Sequence, residues 1–154
     1  MRGLTNESRS FLWRLLHNLL PTEERLHKLH KSPSSLCKLC PDNKVDNVWS
    51  HTFSECAVSS PAMEWMLNTV RKYDPSCVKQ ESVLLQLNPG NKDHILPCVW
   101  LITETLQFIW AKRRSKEAIN VGEMAAKITA KCIALKTSNL FNEHAANLLM
   151  YLEN

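Results

Sequence analysis

The sequence predicts an all-α fold, a helical domain carrying one small cysteine- and histidine-bearing module near its N-terminal third. Three observations predict it. Apolar residues recur at three- and four-residue spacing through most of the chain, as they do on a helix with one buried stripe. The 154 residues include only 3 Gly, too few for a series of tight hairpins. The segment 36–56 gathers three of the six cysteines and a histidine into a short stretch poor in aliphatic side chains. A chain of this length fits one domain with a real core. With 44% hydrophobic and 22% charged residues it has a globular rather than a disordered composition.

Taken in order, residues 5–20 read as an amphipathic helix whose stripe is Phe11, Leu12, Leu15, Leu16, Leu19 and Leu20. Pro21 is expected to stop it, because proline has no N–H to donate and restrains the residue before it. Glu23 and Glu24 favour a new helix start, with Leu26 and Leu29 as its apolar edge. Ser32-Pro33-Ser34-Ser35 reads as a loop. Ser60-Pro61 supplies a cap and a first-turn proline for a helix bearing Met63, Met66, Leu67 and Val70, which Asp74-Pro75 ends. Residues 81–87 are short and apolar, and are read as helix because no other strand exists for them to pair with. Asn88-Pro89-Gly90-Asn91 is the clearest break. A long helix follows over 93–114, with Val99, Ile102, Leu106, Ile109 and Trp110 as its stripe. Asn120 to Glu123 resembles a capping box opening a helix to about residue 137, and a last helix covers about 140–152. The break divides the chain into 1–88 and 89–154, expected to pack as one domain. Trp13, Trp65, Trp100 and Trp110 fall beside leucines at helical spacing and are read as core. Cys77, Cys98 and Cys132 are read as small buried hydrophobes.

Six cysteines in a secreted chain would suggest disulfides. The apolar stretch from Phe11 to Leu20, however, is broken by Arg14, His17 and Asn18, which is not a secretory signal. No run approaches the roughly 18 apolar residues of a membrane span. The expected location is intracellular, nuclear or cytoplasmic, with no membrane partner. In such a reducing compartment, close cysteines more often hold metal than disulfides.

Cys37, Cys40, His51 and Cys56 have the spacing C-x2-C-x10-H-x4-C. Two cysteines two residues apart form a knuckle that aims both sulfurs at one point, and the His-x4-Cys pair closes a tetrahedron from the other side. Zn2+ accepts mixed thiolate and imidazole ligands, and four protein ligands leave no position for a reactive water, so the reading is a structural zinc. Such a site contributes on the order of 10–16 kcal/mol, enough to order a segment with little core of its own. His30, seven residues before Cys37, ranks below His51 as a ligand. A redox reading of Cys37-Lys38-Leu39-Cys40 lacks the surrounding βαβ pattern.

The formal charge of +4 permits a phosphate-bearing partner without demanding one. Two basic clusters stand out. Arg9, Arg14, Arg25, Lys28, Lys31 and Lys38 are interleaved with His17, His27 and His30, and Lys112-Arg113-Arg114-Ser115-Lys116 ends the long helix. Such residues neutralise phosphates, and Trp49 and Phe53 in the metal loop are candidates to stack on unpaired bases. Each also has a plainer reading: a solvated helix face, a complement to the helix dipole, or the loop's own small core.

The run Phe11-Leu12-Trp13-Arg14, then Leu19-Leu20-Pro21-Thr22, Leu26, Cys37-Lys38-Leu39-Cys40, His51-Thr52-Phe53 and Cys56 resembles the reverse transcriptase zinc-binding domain. That domain lies C-terminal to the polymerase in non-LTR (LINE-type) retrotransposon polyproteins. Phe108-Ile109-Trp110-Ala111-Lys112-Arg113-Arg114 is similar to the tail helix of such elements, so the resemblance runs over about residues 8–135. The ten residues between Cys40 and His51 exceed the gap in short retroviral-type knuckles. The resemblance implies a non-catalytic zinc-binding domain that holds RNA or DNA during target-primed reverse transcription, or packs on the polymerase body of a parent polyprotein. The alternative is a zinc-stabilised protein–protein interaction module without nucleic-acid affinity. No catalytic residues are expected. The sequence has no Asp-Asp pair for two magnesium ions, no phosphate-cradling glycine loop and no small-molecule site, and Pro41-Asp42 with Glu55 lacks the lysine of a nuclease motif.

Overall fold

Thr5 opens the first helix by accepting the Ser8 N–H on its side chain, and α1 runs Asn6–Leu16. The computed structural model describes residues 4–73, 75, 92–137 and 142–152. The expected helix over 5–20 therefore ends at Leu16, before Pro21 is reached. The Leu19 N–H bonds to the Arg14 carbonyl at 2.7 Å and the Asn18 N–H to the Leu15 carbonyl at 3.0 Å, while Asn18 takes a left-handed φ of 52°. This is a Schellman ending. It turns Leu20 into the core, where it is fully buried. The second helix, α2 (Glu23–Lys28), is capped by Thr22 and ends the same way: His30 has φ 55°, with Lys31 N–H to Leu26 O at 2.8 Å and His30 N–H to His27 O at 2.9 Å.

The remaining helices are α3 (Ser60–Tyr73), α4 (Lys92–Ser115), α5 (Val121–Thr137) and α6 (Asn142–Leu152). α5 and α6 pack against each other, and α4 touches α1, α3, α5 and α6. The core is Phe11, Leu15 and Leu20 from the first segment, Met63, Met66 and Val70 from α3, Leu101, Leu106 and Ile109 from α4, Met124 and Ile128 from α5, and Leu148 from α6. Each such side chain contributes about 1.5–3 kcal/mol when buried. A polar link adds direction to the packing of α1 on α4: buried Ser8 Oγ lies 3.0 Å from Gln107 Oε1 and 3.3 Å from Glu104 Oε1. α4 itself ends in a third Schellman turn, with Lys116 at φ 58°. Asn120 caps α5 by accepting the Glu123 N–H at 3.0 Å.

Among the described residues there is no strand, only an isolated antiparallel bridge between Leu36 and Val45. Nor is any described helix long and apolar enough to cross a membrane. Trp100 and Trp110 are buried and Trp65 packs half-buried on the core, but Trp13 does not join them: it is 54% exposed on the outer face of α1. Helical spacing gives a residue a face, and α1 is covered on one side only. Cys98 and Cys132 are buried in the core. The expected helix over 81–87, the break at 88–91, the division between 88 and 89, and Cys77 lie outside the described residues.

Candidate metal centre

The first two candidate ligands sit on a small hairpin. Cys37 N–H bonds to the Lys44 carbonyl and Asp46 N–H to the Ser35 carbonyl, both at 2.9 Å, on either side of the Leu36–Val45 bridge. Asn43, at φ 50°, makes the reversal; asparagine tolerates this region better than most side chains. His51 sits on a π-helix, Val48–Glu55, and Cys56 is the residue that ends it; its N-terminus is capped by the Asn47 side chain accepting from the Trp49 and Ser50 N–H groups. The winding matters. His51 and Cys56 are five residues apart, which on an α-helix separates two side chains by about 140°. Here the Cys56 N–H bonds back five residues to the His51 carbonyl at 2.9 Å, so one wider turn stacks the two on one side.

The ligand atoms of Cys37, Cys40, His51 and Cys56 all lie within 4.8 Å of one another, and all four residues are buried. Cys37 Sγ and Cys56 Sγ are 4.0 Å apart, and Cys40 Sγ and His51 Nε2 are 3.2 Å apart. A tetrahedral zinc has edges of about 3.8 Å between two sulfurs and about 3.5 Å between sulfur and nitrogen, from its usual bond lengths. The donor set and the spacing fit a four-ligand metal ion. The cysteines are free, and 4.0 Å is not a disulfide distance. Among the described residues, His51 Nδ1 is buried without a hydrogen-bond partner.

The local electrostatics favour thiolates unequally. Burial and the neighbouring sulfurs push the Cys40 thiol up to about 11, against a hydrogen bond from the Asp42 backbone that lowers it. Burial also opposes ionisation of Cys56, but the Val58 N–H and the Arg113 guanidinium outweigh it and hold this thiol below its ordinary value. In both cases the lowering backbone donor lies two residues after the cysteine. Burial lowers the His51 pKa, and Arg113 adds to that against the raising effect of Asp46, so the imidazole is kept neutral as a ligand must be.

A buried polar shell surrounds the four ligands. Asp46 Oδ1 accepts from Thr52 Oγ1 at 2.9 Å and from Arg113 Nη2 at 2.8 Å, and its Oδ2 accepts the Glu23 N–H at 3.0 Å. One carboxylate thereby joins the start of α2, the π-helix and the end of α4. Val48 and Phe53 project from the π-helix into the main core, with the Phe53 ring 6.4 Å from that of Trp110. The segment 36–56, expected to owe its order to the metal, is anchored in its second half by the main core as well.

The residues singled out for nucleic acid are not all on the surface. Arg113 points inward and is only 7% exposed, with its guanidinium among the sulfurs and Asp46, so it is not available to a phosphate. Phe53 is buried and cannot stack on a base, and Trp49 is half-buried against the core. Lys112 is held by Glu117 at 2.7 Å and Glu123 at 3.3 Å, leaving Arg114 as the exposed member of its triplet. Consecutive helical residues diverge by about 100°, which is why three adjacent cations face three ways. Lys28 pairs with Glu24 and Lys38 with Glu23, and Arg25 donates to the Asn18 carbonyl. Arg14 and Lys31 are exposed.

Asp46 and the inward role of Arg113 are the functional features that the spacing of cysteines and histidine does not reveal. A signal for Arg113 exists: Leu106, Ile109, Trp110 and Arg113 follow the same three- and four-residue rhythm, so a charge continues the buried stripe of α4. No curated protein and no solved structure matches the chain. A family model does match residues 2–62, a stretch that includes all four candidate ligands. Over that stretch the chain resembles the family described as zinc-binding in reverse transcriptase.

Proposed function

We propose that this chain is a non-catalytic, zinc-stabilised helical domain that binds single-stranded RNA or DNA, as part of or derived from a non-LTR retrotransposon reverse transcriptase. The metal is zinc and its role is structural. The matched family is named for zinc, and a Cys3His set uses all four tetrahedral positions. The observation that supports a nucleic-acid role best is the outer face of α1. Trp13, 54% exposed, stacks on His17 with ring centroids 4.5 Å apart, one residue from exposed Arg14. An exposed aromatic beside a cation is an arrangement that seats an unpaired base and its phosphate, worth about 1–3 kcal/mol per stacked base. A groove of about 260 Å³ beside the metal centre is lined by Leu26, Leu39 and Trp110, by Lys38, Arg114 and Lys116, and by the carboxylates of Glu23 and Asp46.

The test pairs metal analysis with binding. Purified protein should carry one zinc per chain. Fluorescence anisotropy with labelled single-stranded RNA and DNA should show affinity that falls steeply with salt. Trp13→Ala should weaken that affinity about 5- to 100-fold while leaving the fold intact. No affinity at low salt for any RNA or DNA would end the nucleic-acid reading. The second reading, a protein-docking module, is favoured by Leu16 and Leu29, which are 54% and 50% exposed. It requires association with a protein partner that is insensitive to salt.

A further inference from the structure

The guanidinium of Arg113 is built into the metal centre from outside the matched segment. Its Nη1 donates to Cys56 Sγ and to Ser59 Oγ, each at 3.1 Å, and its Nη2 to Asp46 Oδ1 at 2.8 Å and towards Cys37 Sγ at 3.5 Å. Two of the three sulfurs are thus approached by one planar cation. Three thiolates and a dication carry a single net negative charge, in a place that water does not reach. A buried charge of that kind is costly unless it is paired. Arg113 sits in the last turn of α4, the helix that touches α1, α3, α5 and α6.

We infer that Arg113 is a positioning residue of the metal centre: it balances the charge of the three-thiolate site, donates N–H···S bonds to Cys56 and Cys37, and makes α4 an integral wall of the site. The inference rests on the zinc reading above. It has a consequence the four-ligand pattern lacks. Metal retention then depends on the end of a helix that begins thirty residues after the matched segment ends. Arginine suits the task because its rigid fork serves two sulfurs, a hydroxyl and a carboxylate together, whereas a lysine offers one point of charge.

The test uses the full chain and compares Arg113→Met, close in volume and uncharged, with Arg113→Lys and with Arg113→Met/Asp46→Asn. Two readouts report on the sulfurs rather than on packing: the rate of zinc release to an excess of chromogenic chelator, and the sulfur-to-metal charge-transfer band of the Co2+-loaded protein. Outer partners of metal ligands are typically worth about 10- to 100-fold in affinity. Zinc release from Arg113→Met should accelerate by about that factor, and the cobalt band should move to lower energy as the sulfurs lose their donors. Arg113→Lys should fall between, and carries the test if Arg113→Met does not fold. The double variant relieves Asp46 of its unpaired charge, yet should keep the fast release and the shifted band. Release within two-fold of wild type and an unmoved band, in a protein that holds metal, would overturn the inference. So would a double variant restored to wild-type release, since Arg113 would then serve only to pair Asp46. A wild-type chain that takes up neither zinc nor cobalt would instead overturn the metal reading itself.

Discussion

Replacing Asp46 with alanine removes the carboxylate that ties three elements together. In the folded protein its two oxygens accept from the Arg113 guanidinium, the Thr52 hydroxyl and the Glu23 N–H, and the residue is almost wholly buried. Truncation leaves a buried guanidinium without its counter-ion, a buried hydroxyl without its acceptor, and the first turn of α2 with an open donor. Breaking one side of a buried ion pair costs about 3–5 kcal/mol, and an orphaned neutral donor adds about 1–3 kcal/mol. Two thiolates remain beside Arg113 and recover part of the loss. The expected destabilisation is therefore about 3–4 kcal/mol, a large share of the roughly 5–15 kcal/mol that holds a domain together. Asp46→Asn keeps the shape and one acceptor but turns an amide N–H2 toward donors, so it should lie between wild type and alanine. Urea unfolding of the zinc-loaded chain, followed by circular dichroism, gives both values by linear extrapolation. A loss below about 1 kcal/mol for Asp46→Ala would show that the carboxylate is not the hub described above.

Further outcomes follow from the same contacts. Burial opposes ionisation of Glu23, but hydrogen bonds from Lys38 and Ser32 outweigh it, so its carboxyl is held below the ordinary value of 4.5. Its stabilising contribution is thus complete above pH 4.5 and is lost as the pH falls through the lowered folded value. The stability gap between wild type and Glu23→Gln should close as the pH is taken downward from 4.5. Acid release of metal is common to both proteins and cancels in the difference; a gap that stays constant or widens refutes the assignment. Lys116 ends α4 at φ 58°, where a side chain costs roughly 1–2 kcal/mol, against about 0.5–1 kcal/mol for the extra freedom of glycine when unfolded. Lys116→Gly should therefore stabilise the chain by about 0.5–1 kcal/mol, read as a rise in melting temperature of about 1–4 °C. A fall would mean that the lysine side chain makes contacts worth more than the strain.

Much of the helical layout was legible because apolar periodicity reports the buried face directly: α3, α4 and α5 begin and end within a residue or two of their expected bounds. The ends of α1 and α2 were not. Helix stops are usually read from Gly or Pro, and here the left-handed positions are held by Asn18 and His30, which carry no such signal. The metal cluster was legible as residue types at a spacing, since the Cys37–Cys40 knuckle is local. Its surroundings were not, because the contacts that matter join residues 23, 46, 52 and 113, and no local pattern links them. The inward turn of Arg113 escaped for a related reason. Adjacency in sequence is not adjacency on a helix surface, and Arg113 belongs to the apolar stripe rather than to its charged neighbours.

The π-helix separates the intervals between ligands into rigid and elastic ones. His51 and Cys56 are paired by one turn, closed by the backbone bond that joins them; removing one residue would leave the four-residue spacing that α-type winding also stacks on one face, so this interval changes only by what a single turn can absorb. The interval from Cys40 to His51 is of another kind: it runs through the exposed tip at 41–45 before returning at Asp46. Length changes at that tip lengthen a surface loop and leave the ligands in place, at a cost that grows only slowly with loop size. A ten-residue gap is thus no obstacle to the site, and a pattern used to search for such domains should let that interval vary far more than the His-to-Cys interval, which one helical turn must span.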